Sequence, residues 1–86
     1  MVAARHHNPA YDDPRWRRLR DRKIRAHKRT NGYLCPGYDT PPHLTDRLSG
    51  DHVVPLVEGG AMFDEGNVQV LCVGCNARKD AGKRRR

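Results

Sequence analysis

Three cysteines limit what this chain can fold into: Cys35, followed by Pro36-Gly37, and further on a pair at C-x-x-C spacing, Cys72-Val73-Gly74-Cys75. They matter because little else can hold the chain together. It has 86 residues, 36% of them hydrophobic and 6% aromatic, with a mean hydropathy of −0.93. An apolar core drawn from that composition would struggle against ordering costs of about 1.5 kcal/mol per residue. Two thiolates at C-x-x-C spacing reach one tetrahedral zinc from a knuckle turn, and Cys35 supplies a third. Zinc also accepts a neutral imidazole, and His43 lies close enough to fold back through the Pro41-Pro42 bend; Asp39 is the other residue within reach. The expectation is a single domain stapled by zinc on Cys35, His43, Cys72 and Cys75. Ion binding in small zinc domains is worth about 10–16 kcal/mol, more than this sparse core offers. A redox C-x-x-C belongs at the start of a helix in a βαβ unit, which a chain this short and basic does not supply.

Charge is distributed in blocks. Residues 1–34 carry ten Lys/Arg and three acids (10 − 3 = +7), residues 35–76 one Arg and six acids (1 − 6 = −5), and residues 77–86 six Lys/Arg and one Asp (6 − 1 = +5). The total of +7 favours a polyanionic partner, nucleic acid first. Carboxylates gathered between basic flanks suit a cation site on a phosphate-binding protein. No apolar run approaches the roughly 20 residues that span a bilayer, and the N-terminus lacks the apolar stretch of a signal peptide, so the expected location is intracellular.

Residues 1–12 read as a flexible arm containing His6, His7 and Pro9, residues 13–82 as the folded domain and residues 83–86 as a basic tail. Asp13 is an N-cap and Pro14 the first residue of a helix that ends at Asn31-Gly32. Trp16, Leu19 and Ile24 share an arc of roughly 140° on it and should pack, with Trp16 a core anchor. Arg15, Arg18, Arg22, Arg25 and Arg29 point elsewhere and are expected to follow a DNA backbone without reading bases. Asp51 to Leu56 reads as a strand closed by Pro55, and Val68 to Leu71 as a second. A short helix is expected from Asn76 to about Ala81. Val53, Val54, Leu56, Phe63, Val70 and Leu71 are the core candidates.

Asp51-His52-Val53-Val54-Pro55-Leu56-x-x-Gly59-Gly60 is followed by Asn67-Val68-Gln69-Val70-Leu71-Cys72-x-x-Cys75-Asn76-x-x-Lys79. From Cys35 to Lys79 this resembles the HNH endonuclease family, with D-H-x-x-P-L-x-x-G-G and N-x-Q-x-L-C-x-x-C-H-x-x-K, in a small phage-type form. The resemblance implies an α+β, ββα-metal fold with a structural zinc knuckle and, here, a basic N-terminal helix. It implies that Asp51 binds a divalent cation while His52 faces the attacking water, since neighbours on a strand point to opposite faces. An imidazole, with an ordinary pKa of about 6.5, can take a proton from water near neutrality. Asn67 would tie down the loop whose carbonyl orients that ring.

Where the family ends in His, this chain has Asn76, an H-N-N signature. An amide oxygen is a hard ligand, so Asp51 and Asn76 together should favour Mg2+ or Mn2+. Hydrolysis would leave a 5′-phosphate and a 3′-hydroxyl, with Arg78 and Lys79 on phosphate oxygens. The expected partner is DNA. The resemblance adds the large subunit of a packaging terminase as a candidate partner, and the host cytoplasm as the location of a phage-encoded protein. The rival reading is a zinc-knuckle DNA-binding or packaging module that keeps the scaffold and has lost cleavage through Asn76.

Overall fold

A computed structural model describes residues 9–84. The expected arm divides there: residues 1–8, with His6 and His7, lie outside the described residues, while Pro9–Asp12 form a 3-10 turn. Tyr11 of that turn meets Trp16 edge to face, ring centroids 5.8 Å apart. Helix α1 spans Pro14–Asn31. It starts where expected: the Asp13 carboxylate accepts the Arg15 amide at 2.8 Å, and Pro14 has no amide to leave unpaired. It stops at Gly32, whose φ of 62° suits glycine and whose amide closes on the Lys28 carbonyl at 2.9 Å.

Two very short strands follow. β1 (Leu34–Cys35) and β2 (His43–Leu44) pair antiparallel, with Cys35 opposite His43. The turn between them needs Gly37, which takes φ 90°. The main hairpin pairs β3 (Leu48–His52) with β4 (Val68–Cys72), Leu48 against Cys72 and His52 against Val68. Helix α2 (Val73–Arg84) leaves β4 without a break; its first amide bonds the Arg47 carbonyl at 2.9 Å, tying it to the start of β3. The order β3, β4, α2 is the ββα unit, so the chain has the α+β, ββα-metal architecture.

The hairpin is the middle layer. On one face His52 and Val68 meet Trp16 of α1, and the stem of Arg20 lies against Gly50, which has no side chain to obstruct it. On the other, Ser49 and Asp51 meet α2. The core is correspondingly split. Trp16, Leu19 and Val68 form one cluster with Met62 against it; Cys35, Leu71, Cys72 and Cys75 form another, packed by Tyr38 and Leu48.

Three expectations on the elements need correction. The first strand of the hairpin runs Leu48–His52, upstream of Asp51–Leu56, because pairing with β4 and not β-branching sets its ends. Val53, Val54 and Phe63 are exposed and Leu56 is only partly buried, leaving Val70 and Leu71 as the core candidates that are buried, beside Val68. Helix α2 begins at Val73 and runs past Gly82, so the C-x-x-C does sit at a helix start. What separates it from a redox motif is the company its sulfurs keep.

Candidate functional site

The β1–β2 pairing brings Cys35 and His43 together, and the junction of β4 with α2 brings up Cys72 and Cys75. The ligand atoms of these four residues all lie within 4.8 Å of one another. His43 Nε2 is 3.4 Å from Cys72 Sγ and 3.9 Å from Cys75 Sγ. Tetrahedral zinc, with bonds of about 2.3 Å to sulfur and 2.0–2.1 Å to nitrogen, needs ligand–ligand edges of roughly 3.6–3.8 Å. The site therefore fits the ion in donor type and in spacing, with His43 as the fourth ligand; Asp39 is outside the group.

Backbone amides point at two of the sulfurs. The amides of Gly37 and Cys72 donate to Cys35 Sγ, and that of Cys75 to Cys72 Sγ, each at 3.3 Å. His43 Nδ1 lies 3.0 Å from the Pro41 carbonyl, which can only accept, so Nδ1 carries a proton and Nε2 is the atom turned to the sulfurs, the one that would ligate an ion as a neutral imidazole. A hydrogen bond from the protonated His43 ring draws the Cys72 thiol down to about 6, whereas burial pushes the Cys75 thiol up. Arg78 bridges the knuckle to α2, with Nη1 3.0 Å from the Tyr38 carbonyl and 4.0 Å from Cys75 Sγ.

A second constellation sits at the far end of β3. Strand alternation turns Asp51 toward α2 and His52 toward α1, so the two neighbours have separate surroundings. His52 is buried, its ring stacked on Trp16 at 4.5 Å and 23°. Its Nε2 lies 3.1 Å from the Met62 carbonyl. A carbonyl only accepts, so Nε2 bears the hydrogen and Nδ1 the lone pair. Among the described residues Nδ1 has no partner, and it is not sealed from solvent.

The Met62 carbonyl is held in place by Asn67, which clamps residues 53–67. The Asn67 Oδ1 accepts the Val54 amide at 2.8 Å, and its Nδ2 donates to the carbonyls of Val54 at 3.1 Å and Ala61 at 3.0 Å. Gly60 is required inside this clamp: a Cβ there would run into the Val54 carbonyl. All three side-chain bonds go to backbone, and the exposed Asp64 adds a turn within the same loop by accepting the Gly66 amide at 2.9 Å.

Asp51 Oδ2 accepts from Gln69 Nε2 at 2.9 Å, its direct partner across the hairpin, and lies 3.3 Å from Lys79 Nζ. Lys79 Nζ also donates to the His52 carbonyl at 3.0 Å. Asn76 Nδ2 lies 3.4 Å from Ser49 Oγ. Residues 76 and 79 are one turn apart on α2, as 49 and 51 are one pleat apart on β3, so Asn76 and Asp51 share one helix–strand cleft. Asp51 Oδ1 and the Asn76 amide oxygen have no partner among the described residues. Both are hard oxygen donors, the type that Mg2+ and Mn2+ take.

Residues 15, 18, 22, 25 and 29 fall within an arc of roughly 80° on α1, at 100° per residue, centred roughly 110° away from the mean direction of Trp16 and Leu19. Arg15 is tied to Asp13 and lies over the Phe63 ring at 4.4 Å; Arg22 pairs with Glu65. Arg18, Arg25 and Arg29 are exposed and have no ion-pair or hydrogen-bond partner among the described residues. Lys79, expected on phosphate, is instead buried against Asp51, because its place one turn beyond Asn76 aims it into the cleft. Trp16 is the expected core anchor and also the floor under His52, a role the sequence does not announce. Gln69 was legible only as a letter of the family motif, and Ser49 carried no signal. Tyr11 was assigned to the arm, yet its ring centroid is 6.0 Å from that of His52. Burial, then the Asp51 and Asp80 carboxylates, push its hydroxyl up.

A hairpin feeding directly into a helix, with a polar centre between them and a Cys3His cluster at the base, defines the ββα-metal class. The profile of the HNH endonuclease family matches residues 37–82, more than half of the chain, and the chain belongs to that family. That makes it a nuclease-type domain whose substrate class is DNA. No curated protein and no solved structure matches it. No helix among the described residues is long and apolar enough to cross a membrane.

Proposed function

We propose that the chain is a metal-dependent DNA endonuclease in which His52 is the general base and Asp51 and Asn76 hold the catalytic cation. The observation that carries this reading is the state of the His52 ring. Its Nε2 hydrogen is committed to the Met62 carbonyl, which leaves Nδ1 as the basic atom, and Trp16 prevents the ring from tilting. Nδ1 takes a proton from water as the oxygen attacks phosphorus and the P–O3′ bond breaks, and the departing 3′-oxygen takes a proton from solvent, giving a 5′-phosphate and a 3′-hydroxyl. Mg2+ or Mn2+ held by Asp51 and Asn76 would supply positive charge that offsets the negative charge developing in this step. Asn67 acts through the loop it clamps and does not touch the substrate. Zinc at Cys35, His43, Cys72 and Cys75 is structural, since four protein ligands leave no open position. The arginine stripe of α1 binds the DNA backbone, and Arg78 on α2 is a further phosphate contact.

Incubation with supercoiled plasmid tests this: relaxed or linear DNA should appear with Mg2+ or Mn2+ and not with a chelator. A second reading, a DNA-binding module without cleavage, draws on the neutral Asn76 amide and on the Asp51–Lys79 pair. Retarded but intact DNA in Mn2+, with cutting restored by Asn76→His, would establish it. If the centre serves a phage-packaging role, the protein should co-purify with a terminase large subunit.

A further inference from the structure

The charges in the cleft between β3 and α2 are unusual for a site that must attract a dication unaided. Asp51 carries −1 and Lys79 +1, while Asn76, Gln69 and Ser49 are neutral. Lys79 Nζ is 3.3 Å from Asp51 Oδ2 and bonds the His52 carbonyl at 3.0 Å. The two side chains are 9% and 13% exposed, so water screens them less than it does a surface pair. Asp80, the next residue of α2, is exposed and screened by solvent. Both protein donors converge on Oδ2, leaving Oδ1 without a partner among the described residues.

We propose that Lys79 is a positioning residue that holds Asp51 as half of a neutral pair in the free protein, so that the divalent cation binds together with a nucleic-acid phosphate and weakly without one. The inference rests on the nuclease reading above. A dication entering the cleft alone meets one carboxylate whose attraction is offset by repulsion from an ammonium a few ångströms away. A phosphate brings the missing negative charge and the oxygens that the two protein ligands do not supply. The ammonium can stay where it is, because it also bonds the His52 carbonyl and aims Oδ1 outward. Coupling of this kind is reciprocal: cation must tighten DNA binding by the factor by which DNA tightens cation binding.

The test is Mn2+ titration, followed by the electron paramagnetic resonance signal of free Mn2+, on zinc-loaded protein with and without a short duplex. A His52→Ala background prevents cutting and keeps the backbone carbonyl that Lys79 bonds. DNA should tighten Mn2+ binding about tenfold or more. Lys79→Met, similar in length and uncharged, should bind Mn2+ about tenfold more tightly in the absence of DNA, and Lys79→Arg should keep the weak affinity and the coupling. A merely structural lysine would give the opposite sign, with weaker Mn2+ binding in Lys79→Met. Unchanged or weaker binding by a Lys79→Met protein that retains zinc and helical signal overturns the inference, as does equal Mn2+ affinity of the otherwise unaltered protein with and without DNA, a comparison that needs no Lys79 variant. Absence of Mn2+ binding to any form, even with DNA, would remove the cation site itself and the nuclease reading with it.

Discussion

Asn67 is the side chain on which the geometry of His52 most depends, because it makes three hydrogen bonds to the backbone of one loop from a buried position. Buried polar groups that lose their partners cost about 1–3 kcal/mol each. Asn67→Asp is a sharp probe: the carboxylate still accepts the Val54 amide but cannot donate to the Val54 and Ala61 carbonyls. It should destabilise the protein by about 2–4 kcal/mol in denaturant unfolding and reduce cleavage, while zinc content stays at one per chain. Loss of zinc would show instead that the loop and the knuckle are one cooperative unit. The ligand residues were legible at this scale because cysteine spacing and one bend leave few choices. Lys79 was not: an isolated lysine in a basic helix reads as a phosphate contact until the register of β3 against α2 is known.

Helix α1 has two jobs that its sequence separates by face. Trp16 and Leu19 pack on the hairpin, while the arginines at 3-4-3-4 spacing face away. Arg18, Arg25 and Arg29, without an ion-pair or hydrogen-bond partner among the described residues, are the members of the proposed DNA-binding stripe placed to release counterions. Replacing all three with Gln should lower the slope of log affinity against log salt by up to about 3, near 0.9 per phosphate contact. An unchanged slope would place the DNA elsewhere. The N-terminus of the same helix has a pH signature. Hydrogen bonds from Arg15 hold the Asp13 carboxyl down at about 2, below its ordinary range. Its folded value is therefore the lower one, so the cap's stabilisation is fully present above the ordinary carboxylate range and is lost as pH falls toward 2. Asp13→Asn, which caps without titrating, should flatten that part of the acid-unfolding curve. The element ends that sequence misplaced have a common cause. Val53 and Val54 look like strand but lie past the last pair with β4, in the loop Asn67 shapes, and the helix starts at Val73 and Gly74, where the Val73 amide bonds the Arg47 carbonyl and the Cys75 amide bonds the Cys72 sulfur.

For the whole molecule, two small hydrophobic clusters, one at the Leu48–Cys72 end of the hairpin and one at the His52–Val68 end, leave the Cys3His centre as the main tie between the knuckle, β4 and α2. Chelation at neutral pH should unfold the chain cooperatively, with loss of the helical circular-dichroism signal and recovery on adding zinc, because ion binding worth about 10–16 kcal/mol exceeds the stability of a domain this small. A folded metal-free protein would mean that the apolar clusters suffice. That the family was readable from the chain at all follows from its size: with so little core, Cys35, His43, Cys72, Cys75 and the loop-clamping Asn67 stand out from the rest of the sequence. The proposed centre is tested most directly by single-turnover cleavage of an end-labelled duplex in Mn2+ by a His52→Ala protein shown to carry one zinc. The rate should fall at least about 100-fold from that of the unaltered protein, the scale of a lost general base; cleavage at an undiminished rate would contradict the assignment of His52 and the chemistry built on it.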